Sequence, residues 1–169
     1  MNEGFRAEGL LLMMKRISLD LSAQMEQRLK CKNMTGVQVY FLVYILRHHP
    51  KGTYLTELCR EIGVSKATLS ALIKRMREKE YLYFLEDPGD VRKKKVLPTA
   101  KLIAEGNEFL RKAEQMEAEI CSALDADERR KLWDLEKKLI GRFAAMEENE
   151  KDRQEVYNRE KSITAAGAV

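Results

Sequence analysis

Residues 55–101 leave the fold few choices, because they read as a helix, a short turn, a second helix and a basic hairpin. Leu55, Leu58, Cys59 and Ile62 recur at helical spacing, and Gly63 can end that helix in a left-handed conformation at little cost. Ser65 is placed to cap the next helix, with Thr68 as a weak reciprocal partner, and Leu69, Leu72, Ile73 and Met76 recur on one side of it. The second helix therefore has an apolar back and a polar front. Two helices joined by so short a glycine-containing turn are a familiar arrangement for reading DNA, in which the second helix can lie in a groove about as wide as a helix with its side chains.

The hairpin follows directly. Tyr81–Leu85 and Lys93–Leu97 read as two short strands, with residues 86–92 turning between them around Pro88 and Gly89. Pro98 closes the second strand and Thr99 opens a helix predicted to run to about Leu124. Asp125 with Glu128 forms a capping box for a final helix marked by Leu132, Leu135, Leu139, Phe143 and Met146. Upstream, Leu10, Met14, Ile17, Leu21, Met25 and Leu29 mark an amphipathic first helix. Thr35 with Gln38 caps a second one that reaches about His48, and residues 50–53 read as a loop. Three prolines and nine glycines among 169 residues leave these helices long and uninterrupted.

The predicted fold class is thus mainly α with a small β-hairpin wing. Residues 1–34 form an N-terminal helix contributing to dimerisation, 35–101 a DNA-binding lobe, 102–146 C-terminal dimerisation helices, and 147–169 a charged, flexible tail. The terminal helices carry more apolar surface than so small a DNA-reading unit needs to cover itself, and the surplus argues for a homodimer. Leu10, Met14, Ile17 and Leu21 from the first helix and Trp133, Leu135, Leu139 and Phe143 from the last are the candidate interface, Trp133 being equally compatible with a core position.

The net charge of +4 matters less than its placement: basic residues gather in the middle of the chain, and the tail is acidic. With the apolar side of the second reading helix inward, Lys66, Ala67, Thr68, Ser70 and Lys74 face outward, with Arg75 beside them. Hydroxyls can bond base edges or phosphate, Ala67 can approach a thymine methyl, lysines can meet phosphate or guanine, and Ser65 lies where first-turn amides favour an anion. Arg92 is the candidate wing tip for a narrow minor groove, with Lys93, Lys94 and Lys95 on the backbone beside it. Asp90, two residues from Arg92, can orient it by a charge-assisted hydrogen bond. Taken alone, so lysine-rich a hairpin is also compatible with a solvated surface.

Tyr40 and Tyr44 line one face of the second helix, either as core aromatics or as part of a small-molecule pocket. His48 and His49 have no third ligand nearby, so no metal is expected, nor any cofactor. Cys31, Cys59 and Cys121 are odd in number and widely spaced, which suggests neither a disulfide scaffold nor a zinc site. Residues 10–14 are too short an apolar run to span a bilayer, and a cytoplasmic protein without membrane association is expected. No glycine-rich phosphate loop, HExxH or nucleophile–base constellation points to an enzyme.

Leu58 to Ser70, reading Leu-Cys-Arg-Glu-Ile-Gly-Val-Ser-Lys-Ala-Thr-Leu-Ser, resembles the helix-turn-helix core of the MarR family of transcriptional regulators. Asp90-Val-Arg92 resembles the D-x-R element of that family's wing, and Val96 to Thr99 its exit into the next helix. The resemblance covers about residues 10–146, with three departures: Glu80-Tyr81 stands in place of the usual glycine-leucine, Pro98 in place of leucine and Leu102 in place of glycine. It implies a winged helix-turn-helix, an obligate homodimer on a near-palindromic operator in double-stranded DNA, and usually repression relieved by a small phenolic or other aromatic ligand. A constitutive regulator, a redox-responsive one and a winged-helix scaffold that binds protein instead of DNA are the alternatives.

Overall fold

The structure, a computed structural model, describes residues 6–166, without the side chains of 163–166. They form two compact units that divide between Ile120 and Cys121. The first holds α1 (Ala7–Leu29), α2 (Gly36–His48), β1 (Thr53–Tyr54), α3 (Leu55–Ile62), α4 (Lys66–Glu78), β2 (Leu82–Asp87), β3 (Asp90–Pro98) and α5 (Ala100–Cys121), the last residue of α5 crossing the division. The architecture is helical with one three-stranded antiparallel sheet of order β1-β3-β2, a winged helix.

Helices α2 and α4 begin where their capping chemistry puts them. Thr35 and Gln38 form a reciprocal capping box on α2, and Ser65 accepts from the Thr68 amide at 3.1 Å to start α4. Gly63 ends α3 at φ 77°, in the left-handed conformation its missing Cβ allows. The apolar faces of α2 (Val39, Leu42, Ile45), α4 (Leu69, Ile73, Met76) and α5 (Leu102, Phe109, Met116) meet in one core with Leu58 of α3 and Val96 of β3. Gly36 makes one crossing possible, since a Cβ there would stand 2.0 Å from the Met25 carbonyl oxygen of α1.

The end of α4 is built unusually. The Tyr81 amide donates to the Met76 carbonyl and the Glu80 amide to the Arg77 carbonyl, both at 2.9 Å, which is a Schellman motif with Glu80 at its left-handed position. Glu80 adopts φ 62° there, at the place where the resemblance leads one to expect glycine. Thr99 secures the exit: its hydroxyl donates to the Glu80 carbonyl at 2.7 Å, while its oxygen receives the Leu102 amide at 3.2 Å and so caps α5.

The sheet differs from the expected hairpin in two ways. The strands are longer, leaving Pro88 and Gly89 as the turn, so Arg92 lies within β3 beside a register shift rather than in the loop. The loop over residues 50–53 ends in a strand, with Thr53 paired to Val96 and Tyr54 to Lys95, which makes β3 the central strand.

The second unit is α6 (Ala126–Ala166), opened by Asp125, whose carboxylate takes the Asp127 and Glu128 amides at 2.9 Å. Where a flexible tail is expected after Met146, the helix continues to Ala166. The reason is compositional: residues 142–166 contain neither glycine nor proline, and Glu155 and Arg159 sit four apart within ion-pair distance. Residues 167–169 of the anticipated tail lie outside the described residues.

Candidate nucleic-acid interface

Helix α4 presents one face to the core and the other outward. Leu69, Ile73 and Met76 are buried, Leu72 is half-buried, and Ser65, Lys66, Ala67, Thr68, Ser70, Lys74 and Arg75 are all exposed, as the sequence pattern requires. At its leading end the Ser65 hydroxyl also donates to the Thr68 hydroxyl at 2.8 Å, so both side chains are held at the first turn. On the wing, Arg92, Lys93 and Lys94 are exposed and Lys95 is half-buried.

The structure separates the basic residues of the wing into two sets. Arg92 and Lys94 line a cleft of about 340 Å³ with Ser70, Lys74 and Arg77 of α4, floored by Leu55, Ile73 and Phe84. Lys93 and Lys95 are not part of that cleft, nor is Arg75. Four cations from two elements thus converge on one space that no acidic side chain lines, and none of the four forms an ion pair among the described residues. Such a concentration of unneutralised positive charge is suited to an anion.

Asp90 acts differently from the expected partner of the Arg92 guanidinium. Its carboxylate accepts the Arg92 backbone amide at 3.0 Å and makes no side-chain ion pair with it, because the two-residue spacing of an Asx turn brings the amide closer than the long arginine head. The acid therefore shapes the strand at Arg92 and leaves the guanidinium unpaired. Arg77 is absent from the sequence-derived set, although Ser70, Lys74 and Arg77 follow a four-and-three spacing that places them on one face.

Tyr40 and Tyr44 are both half-buried on α2, and their hydroxyls are engaged with carboxylates of different helices. Tyr40 donates to Glu117 at 2.7 Å, which Arg47 also grips through both terminal guanidinium nitrogens. Burial raises the Glu117 carboxyl, but the hydrogen bonds from Arg47 and Tyr40 outweigh it and hold it below the usual range. Tyr44 donates to Glu61 of α3 at 2.6 Å, and His49 Nε2 lies 2.7 Å from the same oxygen. Burial, reinforced by that carboxylate, pushes the Tyr44 phenol up to about 12.

The apolar residues read as an interface stand mostly uncovered. Leu10, Ile17 and Leu21 of α1 are exposed and Met14 is half-buried; on α6, Trp133, Leu135 and Phe143 are exposed and Leu139 is half-buried. All three cysteines are free and half-buried, and burial pushes the Cys31 thiol up, away from the reactive thiolate. Among the described residues there is no cluster of three metal-ligating side chains, and no helix is long and apolar enough to cross a membrane.

Residues 32–93 match the model of the MarR family. The fold matches the transcription regulator MarR of Oenococcus oeni PSU-1 with a TM-score of 0.69 at 24% identity, over 78% of this chain and 98% of that one. The DNA complex of Staphylococcus aureus MepR gives 0.69 at 21% identity, over 78% and 96%. Bordetella bronchiseptica BpsR, whose DNA binding is regulated by 6-hydroxynicotinic acid, gives 0.66 at 22%, over 78% and 98%. No curated protein sequence matches. With the capped reading helix, the D-x-R wing and this likeness together, residues 32–93 form a winged helix-turn-helix segment that matches the MarR family model.

Proposed function

We infer that the protein is a cytoplasmic, dimeric, sequence-specific DNA-binding transcriptional regulator, a repressor whose operator affinity is modulated by a small aromatic or phenolic ligand. The observation that carries the DNA-binding part is the unneutralised cationic cleft where α4 meets the wing. Ser65 to Thr68 enter the major groove, Ser70 and Lys74 read or brace it, and Arg92 reaches the minor groove, with Lys93 to Lys95 and Arg75 on neighbouring phosphates. MepR, of the same fold, is known bound to DNA, which supports this reading.

Dimerisation is supported by the exposed apolar positions of α1 and α6, which a second copy would cover. Two copies related by a two-fold axis would place two reading helices on a near-palindromic site. The ligand clause draws on BpsR and on the α2 face bearing Tyr40 and Tyr44, where a phenolic acid would compete for the hydroxyls now given to Glu117 and Glu61.

The test is a binding selection on sheared genomic DNA with purified protein whose oligomeric state is measured alongside. An inverted repeat bound by a dimer supports the reading, salt-sensitive binding without enrichment favours an architectural role, and a folded dimer that binds no DNA favours a protein scaffold. Operator affinity indifferent to a panel of hydroxylated aromatic acids leaves a constitutive regulator, and loss of affinity after mild peroxide points to redox control.

A further inference from the structure

We propose that Phe84 is a positioning residue for DNA binding, its ring being the platform that holds Arg77 of the reading helix and Lys94 of the wing side by side. The inference deepens the DNA-binding reading and rests on it. The Arg77 guanidinium carbon lies 4.1 Å from the centroid of the Phe84 ring, and Lys94 Nζ lies 5.8 Å from the same centroid. Phe84 sits on β2 opposite Val96 of β3, a fully buried core residue, so the ring stands on the rigid part of the sheet.

The need for such a platform is electrostatic. Lys74, Arg77, Arg92 and Lys94 line one cleft, and like charges brought together repel. In many proteins a carboxylate would relieve that repulsion, but here it would also repel a nucleic-acid phosphate. An aromatic face attracts cations through its quadrupole without carrying net charge. The ring can therefore hold helix and wing cations in place while leaving their charge available to a single phosphate. It also fixes the wing against α4, because one cation comes from each element.

The experiment measures dissociation constants for a mixed-sequence DNA duplex over a range of salt concentrations, with the full chain and four variants. Phe84→Leu keeps apolar bulk but loses the quadrupole, and is expected to bind about two- to fivefold more weakly, the factor that corresponds to an exposed cation–aromatic contact. Phe84→Tyr keeps the ring face and should bind like the wild type. Arg77→Gln should weaken binding and lower the slope of log affinity against log salt by about 0.9. Adding Phe84→Leu to Arg77→Gln should cost less than Phe84→Leu costs alone, because only the longer Lys94 contact is left to lose.

Wild-type affinity in Phe84→Leu, or a loss that appears in full in the Arg77→Gln background, overturns the platform. Equal losses in the leucine and tyrosine variants do the same, since they would mark simple packing. If the leucine variant fails to fold, Phe84→Met keeps the test open, because its flexible apolar side chain fills the site but carries no aromatic quadrupole. It is expected to lose affinity with its salt slope retained, and wild-type affinity overturns the proposal. A wild-type protein that binds no duplex at any salt removes the DNA-binding function itself, whereas normal wild-type binding with an indifferent Phe84→Leu removes only the platform.

Discussion

Replacing Glu80 with glycine is expected to stabilise the protein, although it deletes a whole side chain. Glu80 holds φ 62° at the left-handed position of the Schellman motif that ends α4. A left-handed conformation costs an L-residue about 1–2 kcal/mol, and glycine escapes that cost. Against this stands the extra freedom of glycine in the unfolded chain, about 0.4–1 kcal/mol. The exposed Glu80 side chain makes no hydrogen bond or ion pair among the described residues, so little else is lost. The net gain is about 0.5–1 kcal/mol, or about 1–4 °C in Tm for a chain of this size. Glu80→Ala is the control: it removes an acid from the negative end of a helix, worth a few tenths of a kcal/mol, but keeps the Cβ that causes the strain. Urea titrations at fixed protein concentration should rank glycine above alanine, and alanine level with or slightly above the wild type, all with the same slope. Glycine no more stable than alanine would show that the left-handed turn stores no strain.

Arg92→Ala should weaken DNA binding and flatten its salt dependence by about 0.9 while leaving the urea midpoint unchanged, since the Asp90 contact is to the backbone amide, which alanine retains. Thr99→Val should destabilise the fold by about 1–2 kcal/mol in the same titrations, because it removes the cap of α5 and the donor to the Glu80 carbonyl together. Gly36→Ala should cost about 1–3 kcal/mol or more, the new methyl meeting backbone at Met25 rather than a side chain able to move. For pH, hydrogen bonds from Tyr44 and His49 hold the Glu61 carboxyl below its ordinary value. Its stabilising contribution is then present above the unfolded carboxylate pKa near ~4.3 and is lost as pH falls through the lower folded value. Glu61→Gln should therefore be less stable than the wild type at neutral pH and converge on it in acid, as followed by urea midpoints across that range.

The local features of this chain were readable because they are encoded within a few residues. The Thr35–Gln38 and Asp125–Glu128 capping boxes, the Ser65 cap and the Gly63 turn each join groups no more than four residues apart, and all appear as expected. What escaped depends on distant partners or on backbone geometry. The strand at Thr53 exists only because Val96 lies beside it, and two residues carry no periodicity of their own. The left-handed Glu80 is hidden because a helix-favouring residue occupies a glycine position, stabilised from Thr99. The spacing of Asp90 and Arg92 places the two groups near each other, but spacing alone does not say whether a carboxylate meets a side chain or an amide. Arg77 shows its face in its spacing, whereas its ring partner on β2 becomes visible only in the fold. The length of α6 beyond Met146 follows from helix propensity, which a search for apolar stripes overlooks.

The outward face of α4 has one further consequence. Among the described residues the side chains of Ala67, Ser70 and Lys74 make no hydrogen bond or ion pair, while the residues that fix the helix, Ser65 at its start and Leu69, Ile73 and Met76 beneath it, occupy different positions. Exchanging the outward side chains therefore alters the chemistry this face presents at almost no thermodynamic penalty to the scaffold. A lineage carrying this segment can change that outward chemistry one residue at a time without passing through unstable intermediates, and a designer can graft a foreign face onto it by the same route.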